Sequence, residues 1–263
     1  MEILGYFLAI IIGITLGLVG AGGSILSIPL LVYIFKIDAN LATTYSLFIV
    51  GCVAFYGTVK HRQLGNLNIK TAVFFAIPSV ISTLFIRNIV LKIIPIQFAV
   101  FDNFTLSKNG LIMIAFAILM LSSALLMIKK QAFVTKEKVE INYLKLSIIG
   151  FLIGAITGFL GAGGGFLIIP ALIFFANLPM KQAVGTSLLI IFINSTIGFS
   201  SDLFNNVVLN YYLLFIITFV ALLGMFIGTE ISKKINGNKL KPAFGWFVLA
   251  IGIYIISKEI LFK

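Results

Sequence analysis

Two apolar stretches, residues 3–36 and 143–176, are too long to be single membrane-spanning helices, and this constrains the fold more than any other feature of the chain. Thirty-four residues of straight helix would reach about 50 Å at 1.5 Å per residue, against a hydrocarbon core of about 30 Å. Each stretch is interrupted near its middle by glycines, in GLVGAGGSILSIP at 17–29 and GFLGAGGGFLIIP at 158–170. Each is therefore read as two helical pieces joined at a glycine break, re-entrant or hairpin-like. Six further apolar stretches, at 41–59, 71–91, 110–128, 183–200, 208–231 and 243–261, bring the total to eight, or about ten helical pieces. The expected fold is an all-α polytopic membrane protein. A transmembrane barrel would need strands alternating apolar and polar residues, and LIMIAFAILMLSSALLMI at 111–128 shows no alternation.

Composition removes most other function classes. Of 263 residues 60% are apolar and 10% charged, whereas a soluble domain is roughly 45–50% apolar and about a quarter charged. A single cysteine, Cys52, and a single histidine, His61, expected in a loop, leave no disulfide framework and little for a metal, haem or iron–sulfur centre, so no cofactor is expected. No P-loop is present. No acid–base pair or carboxylate is expected at membrane depth, which argues against an enzyme; a coupling proton would then have to travel on the substrate. The net charge of +11 is dispersed through short loops and does not form a nucleic-acid module.

Charge instead sets topology. If each long stretch crosses once, the 19 Lys and Arg divide 10 against 9. If each turns back at its break, the division is 13 against 6, with Lys60, Arg62, Lys70, Lys129, Lys130, Lys136, Lys138, Lys145, Lys181, Lys233, Lys234, Lys239 and Lys241 together. The positive-inside rule favours the second arrangement, with those loops cytoplasmic, both termini outside and the N-terminus a retained helix.

The chain also repeats itself. A shift of 141 residues superposes Gly13, Gly17, Gly20, Ala21, Gly22, Gly23 and Pro29 on Gly154, Gly158, Gly161, Ala162, Gly163, Gly164 and Pro170, with Ala42, Ser46 and Gly57 on Ala183, Ser187 and Gly198. Over 13–57, 15 of 45 positions are identical without a gap. The reading is an internal duplication, 1–131 and 142–263, around a cytoplasmic linker at 132–141. Five pieces per half make the second half enter the membrane inverted. Inverted repeats with interrupted helices are a transporter arrangement.

Backbone that leaves the helix at membrane depth must be buried in protein or face a cavity. Helices restarting near Ser24 and Gly165 would present free N–H groups and about half a unit of positive charge at each break, a ready anion site. Pro29 and Pro170 keep the neighbouring backbone irregular. The candidate substrate-binding residues are Gly20, Ala21, Gly22, Gly23 and Ser24 in the first break and Gly161, Ala162, Gly163, Gly164 and Gly165 in the second. Ser46, Thr186, Ser187 and Asn194 on the following helices join them. Gly13, Gly17, Gly154 and Gly158 fit close helix packing, and Cys52 reads as a small packing residue. Arg87, Asp202 and Glu230 lie near expected helix ends, where long side chains snorkel to the interface; Arg87 could also attract or gate an anion.

The two GxxGxGGGxxxxP-like runs, the polar segments ATTYS at 42–46 and AVGTS at 183–187, and the closing IGTEISKKINGNKLKPAFGWFVLAIGIYII at 227–256 resemble the TauE/SafE family of sulfite exporters over nearly the whole chain. The copy with GAGGG at 161–165 and GTS at 185–187 fits best. In the first copy Ser24 and Tyr45 replace a glycine and a threonine, and Arg87 with Asn88 stands where a glycine-containing segment is commoner. The resemblance implies an inner-membrane permease that exports sulfite or an organosulfonate, with the bilayer and a small anion as its partners.

Overall fold

The computed structural model describes residues 2–19, 21–93, 97–101, 104–128, 141–161, 164–205, 207–232 and 237–261. Among these, Gly20, Ala162, Gly163 and nearly all of the linker expected at 132–141 do not appear.

Ten helical units account for almost all of the described chain. The first half holds α1 (Glu2–Val19), a composite α2 (21–34) and α3 (Ala39–Gln63), followed by α4 (Ile69–Ile93) and α5 (Lys108–Ile128). The second holds α6 (Tyr143–Leu160), α7 (Gly165–Ala176), α8 (Met180–Phe204), α9 (Tyr211–Ser232) and α10 (Gly237–Leu261). Five of them, α3, α4, α6, α8 and α9, are long and apolar enough to cross a membrane. One short departure from helix was not expected: Gln97–Phe101 (β1) and Phe104–Ser107 (β2) form an antiparallel hairpin between α4 and α5, with Gln97 opposite Ser107.

Helix starts follow the sequence locally. Asp38, Asn68 and Asn142 each cap a helix, their side chains accepting backbone N–H bonds from Asn40, Thr71 and Lys145 at 2.9–3.0 Å; short polar residues do this because the first helical N–H groups have no partner within the helix. Lys60, His61 and Arg62 fill the last turn of α3, where positive charge opposes the helix dipole. His61 is therefore helical, a correction to its expected loop position.

Helix bounds in the two halves correspond. α1 and α6 are both 18 residues and α3 and α8 both 25, each pair starting 141 residues apart. Lys36 and Asn177, also 141 apart, both have left-handed backbone, at φ 54° and 50°, just after α2 and α7.

The central pair is α3 against α8, which are 72% and 61% buried over their most apolar windows, against 39%, 33% and 44% for α4, α6 and α9. Around them α1 packs on α9, α6 on α4, and α5 on α10. Every one of these pairs joins one half to the other. Glycines let the backbones touch. Gly13 and Gly17 of α1 seat on the Ala221 and Gly228–Thr229 backbone of α9, and Gly154 and Gly158 of α6 on Ser79 and Thr83 of α4. A Cβ at Gly17 would lie 2.6 Å from the Thr229 nitrogen, so these glycines pack as expected. Ile77, Ile81 and Phe85 of α4 and Phe215, Phe219 and Phe226 of α9 are exposed, as lipid-facing residues of a membrane bundle are.

Candidate functional site

The second break is flanked by two left-handed glycines. Gly161 ends α6 at φ 65°, its N–H bonded to the Thr157 carbonyl at 2.8 Å, the geometry that terminates many helices at glycine. Gly164 precedes α7 at φ 67° and offers no side chain to cap it. A Cβ would collide with the Thr43 side chain at Gly161 and with the Thr157 side chain at Gly164. Conformation and space thus both demand glycine at these two positions. Gly165 is the first residue of α7, as the sequence suggested.

The first break is built differently, although four of its residues repeat those of the second. The chain resumes at once as a 3₁₀ helix, Ala21–Leu26, which contains Gly22, Gly23 and Ser24. A single α turn, Ser27–Pro29, and a π-helical turn, Leu30–Ile34, complete α2. The expectation of a helix start near Ser24 is corrected: Ser24 is fully buried and lies midway through the 3₁₀ helix. The Ser27 hydroxyl donates to the Ser24 carbonyl at 2.7 Å and shares a 2.6 Å hydrogen bond with Ser46. Short 3₁₀ and π turns inside a helix recur at functional sites.

The two broken segments meet, since the 3₁₀ helix of α2 packs against α7, and α7 against α8. The hydroxyl-bearing candidates lie on the two central helices with distinct partners. Thr186 Oγ1 accepts the Asn68 backbone N–H at 3.0 Å, and Tyr45, its equivalent in the other half, accepts that of Asn210 at 2.6 Å. Each hydroxyl therefore anchors the start of a helix in the other half, Thr186 that of α4 and Tyr45 that of α9. Ser187 donates to its own helix, to the Val184 carbonyl at 2.8 Å. Asn194 Nδ2 donates to Ser79 Oγ at 2.6 Å, while its buried Oδ1 has no hydrogen-bond partner. Ser82 and Ser195 likewise have buried hydroxyl oxygens without one. An unpartnered polar atom in a membrane interior is costly, so the α4–α8 seam carries hydrogen-bonding capacity that the fold leaves unused.

Arg87 overturns an expectation. It does not snorkel; it is 5% exposed and ion-paired with Asp202, itself 7% exposed. Its Nε donates to Asp202 Oδ1 at 2.8 Å and its Nη2 to Oδ2. Nη1 donates to the Gly158 carbonyl at 3.1 Å, and Nη2 also reaches Thr43 Oγ1 and Thr44 Oγ1, both at 3.3 Å. The Thr44 hydroxyl donates to Asp202 Oδ2 at 2.6 Å. The reason is local: Arg87 occupies a π-helical turn, Ile86–Val90, facing the start of α3, the end of α6 and the end of α8. There is thus a buried carboxylate after all, and a full positive charge beside the second break. One sequence signal pointed here, a lone arginine in one apolar stretch and a lone aspartate in another. Nothing local says that residues 115 apart are partners.

From this pair a polar ladder continues along the α4–α8 seam: Ser201 Oγ and Asn205 Nδ2 donate to Asn88 Oδ1 at 3.1 and 2.9 Å, and exposed Lys92 donates to Asn205 Oδ1 at 2.6 Å. A groove of about 630 Å³ between α3 and α8 is by contrast lined chiefly by apolar residues, among them Leu47, Phe48, Phe192 and Phe199, with half-buried Cys52 on its wall.

A family model described as sulfite exporter TauE/SafE matches residues 6–255. A probable membrane transporter protein of Xylella fastidiosa strain Temecula1 is 30% identical over 256 residues, covering 95% of this chain and 92% of that protein. A protein of the same description from strain 9a5c of that organism is 29% identical over 254 residues, with the same coverage. No solved structure matches.

Proposed function

The chain belongs to the sulfite exporter TauE/SafE family and is a multi-pass membrane transporter, not an enzyme; from that premise we propose that it exports a small sulfur-containing anion, sulfite or an organosulfonate, by alternating access. The observation that carries this reading is the left-handed Gly164 before α7, which leaves the first N–H groups of that helix without a side-chain cap where α7 meets α2 and α8. Uncapped N–H groups and the helix dipole favour an anion. The site comprises Gly20, Ala21, Gly22, Gly23 and Ser24, Gly161, Ala162, Gly163, Gly164 and Gly165, with Ser46, Thr186, Ser187 and Asn194 around them. Thr186, whose oxygen accepts the Asn68 N–H, would donate its hydroxyl proton to the anion, and Asn194 the second proton of its Nδ2.

The two halves, 1–131 and 142–263, are read as inverted repeats. Support comes from helix bounds that recur at 141 residues and from helix pairings that survive exchange of the halves: α1 with α9 becomes α6 with α4, and α3 with α9 becomes α8 with α4. Rocking of one repeat against the other around a fixed site is how such folds alternate access. The basic loops are placed in the cytoplasm and the termini outside, in the bacterial inner membrane. A cysteine placed at Lys136 in a Cys52→Ser background should resist impermeant labelling from outside intact cells, and labelling there would reverse this orientation.

Transport is tested with purified protein in proteoliposomes loaded with sulfite or sulfoacetate. Efflux above that of empty vesicles is expected. Absence of flux for both anions, with flux of thiosulfate or a carboxylate instead, would move the substrate to another anion class. Conductance at channel rates without accumulation against a gradient would replace the carrier with a passive pore.

A further inference from the structure

We propose that Arg87 is an anion-binding, specificity-determining residue of the second break, and that Asp202 occupies its guanidinium as an internal stand-in which the transported oxyanion displaces. This rests on the transport reading above and adds the group that recognises the substrate. Asp202 is held through two oxygens by two nitrogens of one guanidinium. Such a fork suits any oxyanion that presents two oxygens side by side, whether sulfite, sulfonate or carboxylate.

Three observations connect that fork to the break. Arg87 Nη1 binds the Gly158 carbonyl, in the last turn of α6 just before Gly161. Arg87 Nη2 reaches the hydroxyl of Thr43, the residue on which Gly161 is seated. Thr44, which donates to the Asp202 carboxylate, would donate in the same way to an oxyanion in its place. The guanidinium and the break therefore share both their neighbours.

The position also suits displacement. The pair is buried, and beside it Asn88, Ser201 and Asn205 hydrogen-bond one another out to exposed Lys92, so polar groups and not lipid-like side chains separate it from the surface. Arg87 comes from the first half and Asp202 from the second. While paired they tie α4 to α8; an anion taking the guanidinium and the Thr44 hydroxyl releases Asp202 and with it α8. Recognition of the substrate and loosening of the contact between halves are then a single exchange of carboxylate for oxyanion. A halide, with one centre of charge, cannot fill the fork.

The test is thermal unfolding of the purified full chain in detergent against sodium sulfite, methanesulfonate, acetate and chloride. In the native protein the three oxyanions stabilise and chloride does not. Asp202→Asn, which keeps a neutral oxygen on the guanidinium, lowers the half-saturating sulfite concentration about tenfold, because a competitor that kept most of Arg87 occupied has lost its charge. The double variant Arg87→Gln/Asp202→Asn buries no unpaired charge, folds, and loses oxyanion stabilisation. Arg87→Lys keeps the charge without the fork and loses discrimination between sulfite and chloride. The proposal is overturned if no oxyanion stabilises the native protein, if the double variant responds at native concentrations, or if Asp202→Asn leaves half-saturation unchanged; should Asp202→Asn not fold, the double variant decides. The two readings fail separately. Arg87-dependent binding of acetate without flux of any sulfur anion sinks only the substrate assignment, and unaltered sulfite flux in the double variant sinks only the role of Arg87.

Discussion

The two glycine breaks share GAGG followed six residues later by proline, yet one is flanked by two left-handed glycines and the other runs through a 3₁₀ helix into a π turn. Local sequence does not force this difference. Ser24 aligns with Gly165, the first residue of α7, and a serine is acceptable at the start of a helix. What differs is the surroundings. Gly161 is clamped between Thr157 and Thr43, with Arg87 bonded to the carbonyl at Gly158. In the first break Ser27 and Ser46 hold the Ser24 carbonyl inside a helical turn, a bond that Ile168, the counterpart of Ser27, cannot make. Two copies of one motif have become a break flanked by left-handed glycines beside a charged residue and a 3₁₀ helix stitched by hydroxyls.

The comparison is broken most severely at the second turn. Gly164→Val places a branched side chain at φ 67° against Thr157; the left-handed conformation alone costs roughly 1–2 kcal/mol for an L-residue, and the collision adds to it. Flux in proteoliposomes should fall to background and thermal stability should drop. Gly23→Ala, inside a 3₁₀ helix, should by its backbone conformation be nearly neutral or slightly stabilising. Equal effects at the two sites would show that the breaks are built alike.

The next largest effect concerns the charge beside the second break. Arg87→Met leaves Asp202 buried and unpaired, and should lower stability by about 3–5 kcal/mol. The Arg87→Met/Asp202→Leu pair should recover most of that, as read by thermal unfolding in detergent. No recovery would mean that the bonds to Gly158, Thr43 and Thr44 matter more than the ion pair.

A smaller effect tests where the halves are alike. Thr186→Val and Tyr45→Phe each orphan a backbone N–H at the start of a helix in the other half, Asn68 before α4 or Asn210 before α9, and each should cost about 1–3 kcal/mol. Similar losses would confirm equivalent anchoring, and a silent Thr186→Val would free that hydroxyl for substrate. Smallest of all, Ser27→Ala and Ser46→Ala should each cost about 0.5–1.5 kcal/mol and be non-additive in a double-mutant cycle. Ser187→Ala should be close to neutral, because its hydroxyl only bonds back to its own helix.

Much of the architecture was legible in the residues themselves. Spans follow from the length of apolar runs, since a bilayer leaves backbone no water to bond and only closed helices or barrels can cross it. The offset of 141 residues could be read from aligned glycines and proline, and helix bounds recur at the same spacing. That Gly13, Gly17, Gly154 and Gly158 are packing glycines was also local, because a residue without a side chain on an apolar helix invites a neighbour.

Only the tertiary structure decided which glycines turn the chain, whether Ser24 begins a helix, and where Arg87 points. Each depends on atoms distant in sequence: Thr43 against Gly161, Ser46 against Ser27, Asp202 against Arg87. An arginine near the end of an apolar helix looks the same in sequence whether it reaches the headgroups or a buried carboxylate, since hydropathy records how much charge a segment carries and not the direction it faces. Apolar periodicity is a property of one helix; the partner that satisfies a buried charge is a property of the bundle.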